Sequence, residues 1–230
     1  MTAIYDGIVL ARHMRVWPTA FAWASMADGA RDPTARAAIG LWSARGWPLV
    51  VRRPDDDGSF CADENISVGL ALPPALGKGR LKFKITSDGV KAQARPLALD
   101  DVVAAMEPAW QRALGPLARD AASTGVTLRV FGSAAWQTQT GLVYLHERSD
   151  IDVLVEPANR DELDTALALF ERFERQTPVR LDGEIVFPGG GAVAWREWAT
   201  SDERVLAKSL TRAALVPKTA LAEQLDRVPA

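Results

Sequence analysis

The chain has 230 residues, of which 48% are hydrophobic and 24% are charged, and its formal net charge is −2. This composition is ordinary for a soluble globular protein, and the near-neutral charge argues against broad nucleic-acid binding. Its one cysteine, Cys61, excludes an internal disulfide framework, and no apolar run is long enough to span a membrane. Since a signal-peptide pattern is also missing, we expect a cytoplasmic protein with no nucleic-acid or membrane partner.

Residues 1–97 are predicted to form an N-terminal domain of mixed helices and strands. Hydrophobic periodicity and turn residues predict helices over 19–27 and 34–45, and strands over 47–52, 65–72 and 80–85. Asp32-Pro33 suits the start of the second helix, and Gly46 suits its end. Residues 88–96 are predicted to be a linker to the second domain.

The predicted strand 80–85 alternates basic and apolar side chains. Arg80, Lys82 and Lys84 fall on one face, and the apolar residues between them fall on the other. Most basic strand faces are simply solvated, and the sequence alone favours that reading. The alternative is a cationic wall that contacts the phosphates of a substrate, with Arg80 and Lys82 as binding residues.

Residues 98–230 are predicted to form the second domain. A helix is predicted to begin at Asp100 or Asp101 and to be bent or broken by Pro108 and Pro116. Further helices are predicted over 159–176, over 200–210 and after residue 217, and strands over 127–131, 151–155, 179–187 and 192–198. This order predicts an α/β fold of the α+β kind, in which helices pack on a mixed sheet.

Gly132 and Ser133 follow the predicted strand 127–131 and precede a predicted helix. A glycine at such a turn lets a phosphate approach the backbone closely. The first turn of the helix offers unpaired N–H groups to that phosphate, and Ser133 adds a hydroxyl donor that can also cap the helix. Alone, this pair is usually only a turn and a cap; the phosphate-binding hypothesis depends on a second motif further along the chain.

Asp150 and Asp152 lie at the start of the predicted strand 151–155. Because side chains alternate along a strand, both carboxylates project to the same side, with Cα atoms roughly 6–7 Å apart. Two such carboxylates repel each other unless a cation lies between them. Hard oxygen ligands favour Mg²⁺, which completes its shell with phosphates and water. The pair therefore predicts a magnesium-dependent phosphoryl-transfer site.

In this order, the Gly-Ser turn and the Asp-x-Asp strand resemble the signature of the nucleotidyltransferase superfamily. Residues 134–149 separate the two halves, which is longer than the commonest form of that signature. With this longer insert, the chain resembles a narrower family, the malonate decarboxylase holo-acyl-carrier-protein synthase, also called phosphoribosyl-dephospho-CoA transferase. The resemblance is best over residues 128–155 and 182–198, and it is looser over 48–53 and 68–74.

The resemblance implies a specific reaction and specific partners. The family transfers a phosphoribosyl-dephospho-CoA group from triphosphoribosyl-dephospho-CoA to a serine of the apo acyl carrier protein of malonate decarboxylase, and pyrophosphate leaves. It implies Mg²⁺ as the cofactor, held by Asp150 and Asp152. The N-terminal domain would then clamp either the CoA-like arm or the carrier protein.

Further site residues are implied by the same resemblance. Such enzymes add a third carboxylate from a neighbouring strand, for which Asp182 and Glu184 are the candidates, Asp182 being favoured. Lys208 would balance the charge of the substrate phosphates. The alternative is that Lys208 only faces solvent on its predicted helix. The family also has an Arg-His pair near its N-terminus, which corresponds to Arg12 and His13.

Two alternative functions stay open at this point. Another nucleotidyltransferase, which adenylylates a small molecule or a protein, would use the same Gly-Ser and Asp-x-Asp chemistry on a different acceptor. A non-catalytic nucleotide-binding protein could keep the fold, although it would have no electrostatic reason to keep both Asp150 and Asp152.

Overall fold

The computed structural model of the chain describes residues 3–5, 8–54 and 65–226. It divides into two compact units, one that extends to Pro96 and one that begins at Leu97. Cys61 lies outside the described residues. Within the described residues, no helix is both long enough and apolar enough to cross a membrane.

The N-terminal unit is built on a five-stranded antiparallel sheet with the strand order β6-β5-β4-β3-β7. Its strands are β3 (Arg15–Pro18), β4 (Leu49–Val51), β5 (Asn65–Ala71), β6 (Arg80–Thr86) and β7 (Val90–Ala94). Two helices follow β3, α1 (Ala20–Gly29) and α2 (Pro33–Arg45). A separate hairpin, β1 (Ala3–Tyr5) with β2 (Ile8–Leu10), precedes them.

Local signals set the ends of α2 as predicted. The Asp32 carboxylate accepts hydrogen bonds from the N–H groups of Thr34 and Ala35, and Pro33 occupies the first turn, where its missing N–H costs nothing. Gly46 ends the helix in the left-handed region, at φ 65°. On β6, basic and apolar residues alternate in exposure, which confirms the predicted half-buried strand.

The prediction of a linker over residues 88–96 is wrong. Residues 90–94 form β7, which pairs antiparallel with β3 at the edge of the sheet. The sequence of β7 is polar and small, so it carries no strand signal of its own. Its strand conformation comes from pairing with a distant segment, which satisfies the backbone groups of β3.

The C-terminal unit is built on a seven-stranded sheet with the order β14-β13-β12-β11-β10-β9-β8 among the described residues. The strands are β8 (Leu97–Ala98), β9 (Leu128–Val130), β10 (Ile151–Val155), β11 (Leu181–Val186), β12 (Ala192–Ala194), β13 (Arg204–Lys208) and β14 (Ala213–Pro217). Only β10 and β11 pair in parallel within this sheet. This mixed sheet, packed by helices, confirms the predicted α+β fold.

Helices connect most of these strands. They are α3 (Leu99–Ala105), α4 (Pro108–Thr124), α5 (Gly132–Thr140), α6 (Arg160–Gln176), α7 (Trp195–Thr200) and α8 (Lys218–Asp226). Val153, Ile185 and Val205 point from the sheet into a core shared with α4 and α6, and all three are fully buried. The Asn159 side chain caps α6 by accepting from the Glu162 N–H, at the start of the helix predicted over 159–176.

Three predicted elements of this unit differ from the structure. The predicted helix after residue 100 breaks at Pro108, which begins α4, whereas Pro116 stays inside α4. The predicted strand 192–198 ends at Ala194, where α7 begins. The predicted helix 200–210 is wrong, because residues 204–208 form β13, which pairs along its whole length with β14.

Candidate active site

Gly132 and Asp152 meet where β9 passes into α5. Gly132 has a φ of 63°, and a Cβ at this position would lie 2.5 Å from Asp152 Cγ and nearer still to Asp152 Oδ2. The Phe131 N–H donates to the Asp152 carbonyl at 3.0 Å, which continues the β9–β10 pairing. Only glycine fits this corner, since any side chain would occupy the space of the Asp152 carboxylate.

Ser133 contacts the same carboxylate through its backbone. The Ser133 N–H donates to the Asp152 side chain, so that one of the first N–H groups of α5 is used by an acidic residue. The predicted capping role of Ser133 is wrong, because Phe131 is the N-cap and Ser133 lies inside the first turn. The Ser133 side chain is therefore not used as a cap.

Asp150 and Asp152 differ in exposure. Asp150 is exposed and directly precedes β10, whereas Asp152 is half-buried within it. A tight turn presents Asp150: the His146 N–H donates to Ser149 Oγ at 3.0 Å, and the Ser149 N–H donates to the His146 carbonyl at 2.8 Å. This turn fixes the end of the insert just before the first carboxylate.

Asp182 lies beside Asp152 on the neighbouring strand. The two residues are direct partners in the parallel register of β10 and β11, and paired residues project to the same face of a sheet. Glu184 pairs with Leu154 instead, one step further from the Gly132 corner. Asp182 belongs to the strand and not to a turn, so it is better placed than Glu184 to act with Asp152.

The acidic cluster perturbs Asp152. The pKa of the Asp152 carboxyl is raised to about 7: burial is the largest cause, the negative charges of Asp182 and Asp150 act in the same direction, and the Ser133 hydrogen bond opposes them. Glu184 adds a smaller charge effect in the same direction. A positive charge nearby would favour the ionised form of this carboxyl.

The donor atoms suit a hard divalent cation, although they are not arranged as a closed cage. Asp150, Asp152 and Asp182 supply carboxylate oxygens at the ends of adjacent strands, and such oxygens are the ligands that Mg²⁺ prefers. Among the described residues, no group of three His, Cys, Asp or Glu side chains is close enough to enclose a metal ion. The cluster thus fits a cation that takes the rest of its shell from phosphates and water.

The insert between the two motif halves is anchored by a residue that sequence reasoning missed. Gln137 Oε1 accepts from the backbone N–H groups of both Tyr144 and Leu145, each at 3.0 Å. Tyr144 stacks on Trp136 at 6.5 Å between ring centroids, and burial raises the pKa of its hydroxyl above the ordinary value. A glutamine on a helix carries no signal for such a role, because its partners follow in a segment without regular structure.

The other predicted binding residues lie on other elements of the fold. Arg80 and Lys82 are exposed on β6 of the N-terminal unit. Lys208 is exposed at the end of β13, where its Cα partners are Ala192 and Ala213. Three strand spacings of about 4.8 Å separate β13 from β10, so the Lys208 backbone is distant from Asp152. His13 adopts a left-handed backbone conformation, at φ 67°.

Comparison with known proteins identifies close sequence relatives. The chain matches the profile of the phosphoribosyl-dephospho-CoA transferase MdcG N-terminal domain over residues 11–96 and that of the C-terminal domain over residues 97–219. A phosphoribosyl-dephospho-CoA transferase of Xanthomonas campestris pv. campestris is 36% identical over 212 residues, which cover 91% of this chain and 95% of that protein.

Proteins of the same name from two other organisms are similar over somewhat shorter stretches. The one from Bradyrhizobium diazoefficiens is 34% identical over 207 residues, which cover 90% of each chain. The one from Pseudomonas aeruginosa is 37% identical over 172 residues, which cover 71% of this chain and 74% of that protein. No solved structure matches this chain.

Proposed function

The chain is a transferase that belongs to the phosphoribosyl-dephospho-CoA transferase (MdcG) family, and from this we propose the full reaction that it catalyses. It transfers the phosphoribosyl-dephospho-CoA group from triphosphoribosyl-dephospho-CoA to a serine of the apo acyl carrier protein of malonate decarboxylase. Pyrophosphate is the leaving group.

The observation that supports this reaction is the contact between the Gly132 corner and the carboxylates. A triphosphate needs acidic residues that bind its counter-ion. Gly132 leaves room for one of them, because the Asp152 carboxylate fills the space that a side chain at residue 132 would take, and Asp150 lies two residues before Asp152. Membership of the family then indicates which chemical group the enzyme transfers.

The chemical step is a displacement at phosphorus. The hydroxyl oxygen of the acceptor serine bonds to the α-phosphorus, and the bond from that phosphorus to the bridging oxygen of the β-phosphate breaks. Asp182 takes the proton of the hydroxyl on its carboxylate, because it is the exposed acid beside Asp152. The electron pair of the broken bond leaves with pyrophosphate.

Mg²⁺ is the cation that we propose for the acidic cluster, with Asp150 and Asp152 as its protein ligands. When bound, it would neutralise charge on the triphosphate and on the departing pyrophosphate. The chain's own contribution is the position of these carboxylates: β10 fixes Asp152 against Gly132, and the turn that ends at Ser149 fixes Asp150. Removing the cation is expected to abolish transfer.

The test is the mass of the carrier protein after incubation with the precursor and Mg²⁺. We expect wild-type enzyme to add one phosphoribosyl-dephospho-CoA group, and Asp150→Ala and Asp152→Ala to add almost none while remaining folded. Asp164→Ala is the matched control, because Asp164 is an exposed acid on α6 outside the cluster. An unmodified carrier, combined with transfer from ATP to another acceptor, would instead identify a different nucleotidyltransferase.

A further inference from the structure

An apolar strip lies on the sheet face that carries the acidic cluster. It consists of Val186, Ala194, Leu206 and Leu215, on β11 to β14, and we call it the β11–β14 strip. Leu215 is 59% exposed, and the other three are half-buried. Leu215 pairs with Leu206 across β13 and β14, so the exposed leucine is part of a contiguous apolar patch and not a single scattered residue.

The strand registers show that the strip and the carboxylates share one face. Asp182, Glu184 and Val186 alternate along β11, so their side chains project to the same side. Ala192 of β12 pairs with both Val186 and Lys208. The side chains of Ala192 and Lys208 therefore project to the same face as Val186.

Alternation and register extend the same face to the edge of the sheet. Leu206 alternates with Lys208 along β13, and it pairs with Leu215 on β14. This face therefore extends from the acidic cluster to the edge strand β14; Leu154 and Ala192 on it are buried, whereas Leu206 is half-buried and Leu215 is exposed.

The strip is not part of the hydrophobic core. Val205, Ala207 and Val216 on β13 and β14 point to the opposite side and pack against the core beneath α6 and α8. Leu206 and Leu215 belong to neither the buried core nor the residues packed against it. Packing in the core thus explains the apolar residues on one face of β13 and β14, but it does not explain the leucines on the other face.

Basic residues border the strip. Arg204 and Lys208 are exposed at the two ends of β13 on this same face, and Arg212 is exposed in the turn between β13 and β14. The carboxylates lie at the opposite end of the strip, on β10 and β11. A complementary partner therefore has an apolar centre and an acidic rim where it meets β13 and β14.

The distances suit an acceptor that reaches from the strip to the cluster. Four strand spacings separate β10 from β14, which gives about 19 Å between Asp152 and Leu215. The strip crosses four strands of one sheet, so it suits the surface of a protein better than the arm of a small ligand.

We propose that the β11–β14 strip is the docking surface for the acceptor protein, which binds through an acidic, amphipathic segment and thereby places its serine at the carboxylates. This inference rests on the proposed function, because it assumes that the acceptor is a protein. It assigns the recognition of the acceptor to the C-terminal unit and to residues that take no part in the chemistry.

The test combines binding and turnover with the apo acyl carrier protein of malonate decarboxylase. Calorimetry measures its affinity for full-length wild type, Leu215→Glu and Arg212→Glu, and a separate titration measures the affinity of each protein for the triphosphate precursor. Phe21→Glu is the matched control, because Phe21 is an 80% exposed apolar residue on α1 of the N-terminal unit. Thermal unfolding checks that each variant is folded.

We expect Leu215→Glu and Arg212→Glu to weaken carrier binding, and to raise the KM for the carrier, by about tenfold or more. Affinity for the precursor, and the behaviour of Phe21→Glu, should match wild type. Unchanged carrier affinity in Leu215→Glu would overturn the proposal, as would an equal loss of precursor affinity or the conversion of a wild-type dimer into a monomer.

The two proposals fail in different ways. If wild type binds the carrier through the strip but transfers no group, the docking proposal is supported and the proposed reaction is rejected. If wild type transfers the group and Leu215→Glu binds the carrier as wild type does, the proposed reaction is supported and the docking proposal is rejected.

Discussion

The carboxylate of Asp152 lies against the Cα of Gly132, in the space that a side chain at residue 132 would occupy. Two segments separated by the 134–149 insert therefore form one corner, in which the backbone turn and the acid define each other's position. The Ser133 N–H completes the contact by donating to the same carboxylate. Movement of either segment would displace the group that we propose to hold the catalytic cation.

Gly132→Ala is expected to inactivate the enzyme. A Cβ at residue 132 would lie 2.5 Å from Asp152 Cγ, so the carboxylate has to move, and such displacements cost about 10²-fold in rate. Gly141→Ala is the control, since Gly141 has a similar φ of 70° but nothing within 4 Å of an added Cβ. Both variants should lose about 1–2 kcal/mol of stability from the left-handed backbone. Steady-state transfer rates and denaturation curves separate the two effects; equal activity in the two variants would contradict the assignment.

Asp182→Asn is expected to reduce kcat far more than Glu184→Gln. Asp182 is the register partner of Asp152, whereas Glu184 is opposite Leu154. Loss of a general base typically lowers the rate by about 10²–10⁴-fold, and we expect less than a tenfold change for Glu184→Gln. Both substitutions preserve side-chain shape, so unfolding temperatures should stay near wild type. A larger kcat loss in Glu184→Gln would make Glu184 the third carboxylate.

The stability of the metal-free protein should depend on the ionisation of Asp152. Its folded-state pKa of about 7 is above the ordinary value of 3.8, so the folded protein binds an extra proton between these values. The free energy of unfolding therefore falls as pH rises from about 4 to about 7, with a slope set by the difference in bound protons.

Asp152→Asn should remove this dependence. The variant is expected to be about 1–3 kcal/mol more stable than wild type at pH 8 in EDTA, and equal to it within error below pH 4. Urea denaturation at several pH values measures the difference. In Mg²⁺ at pH 8, wild type should recover stability and the variant should not. A variant that is less stable than wild type in EDTA at pH 8 would show that ionised Asp152 does not destabilise the metal-free protein.

Gln137→Ala is expected to loosen the insert that leads to Asp150. Two backbone N–H groups, those of Tyr144 and Leu145, would lose their shared acceptor, at a cost of about 1–3 kcal/mol for each group left unsatisfied. Gln139→Ala on the same helix is the control. Among the described residues, Gln139 Oε1 has no hydrogen-bond partner, so this variant should lose less. Hydrogen exchange over residues 141–149 provides the measurement, and equal protection in the two variants would refute the anchoring role.

Elements whose ends or pattern are set by residues close together in the chain were predicted from the sequence. The capped helices α2 and α6 have their start signals, Asp32 and Asn159, within three residues of the N–H groups that they bind. The alternation of β6 also follows from its own residues. For the same reason, the Gly-Ser turn and the Asp-x-Asp strand could be recognised as two separate motifs.

Pairing between distant segments could not be predicted in the same way. Residues 204–208 were predicted to be part of a helix and nonetheless form β13, because β14 satisfies their backbone hydrogen bonds. Residues 90–94 become a strand only because β3 pairs with them. The open strip on β13 and β14 was missed together with those strands.

The sequence by itself determined which residues could bind phosphate and a cation, since Gly132, Ser133, Asp150 and Asp152 carry that chemistry in their types and spacing. Only the tertiary structure decided that the Asp152 carboxylate fills the space over Gly132, and that Asp182 and not Glu184 is its partner. The physical reason is strand register, which depends on hydrogen bonds and packing between segments that lie far apart in the chain.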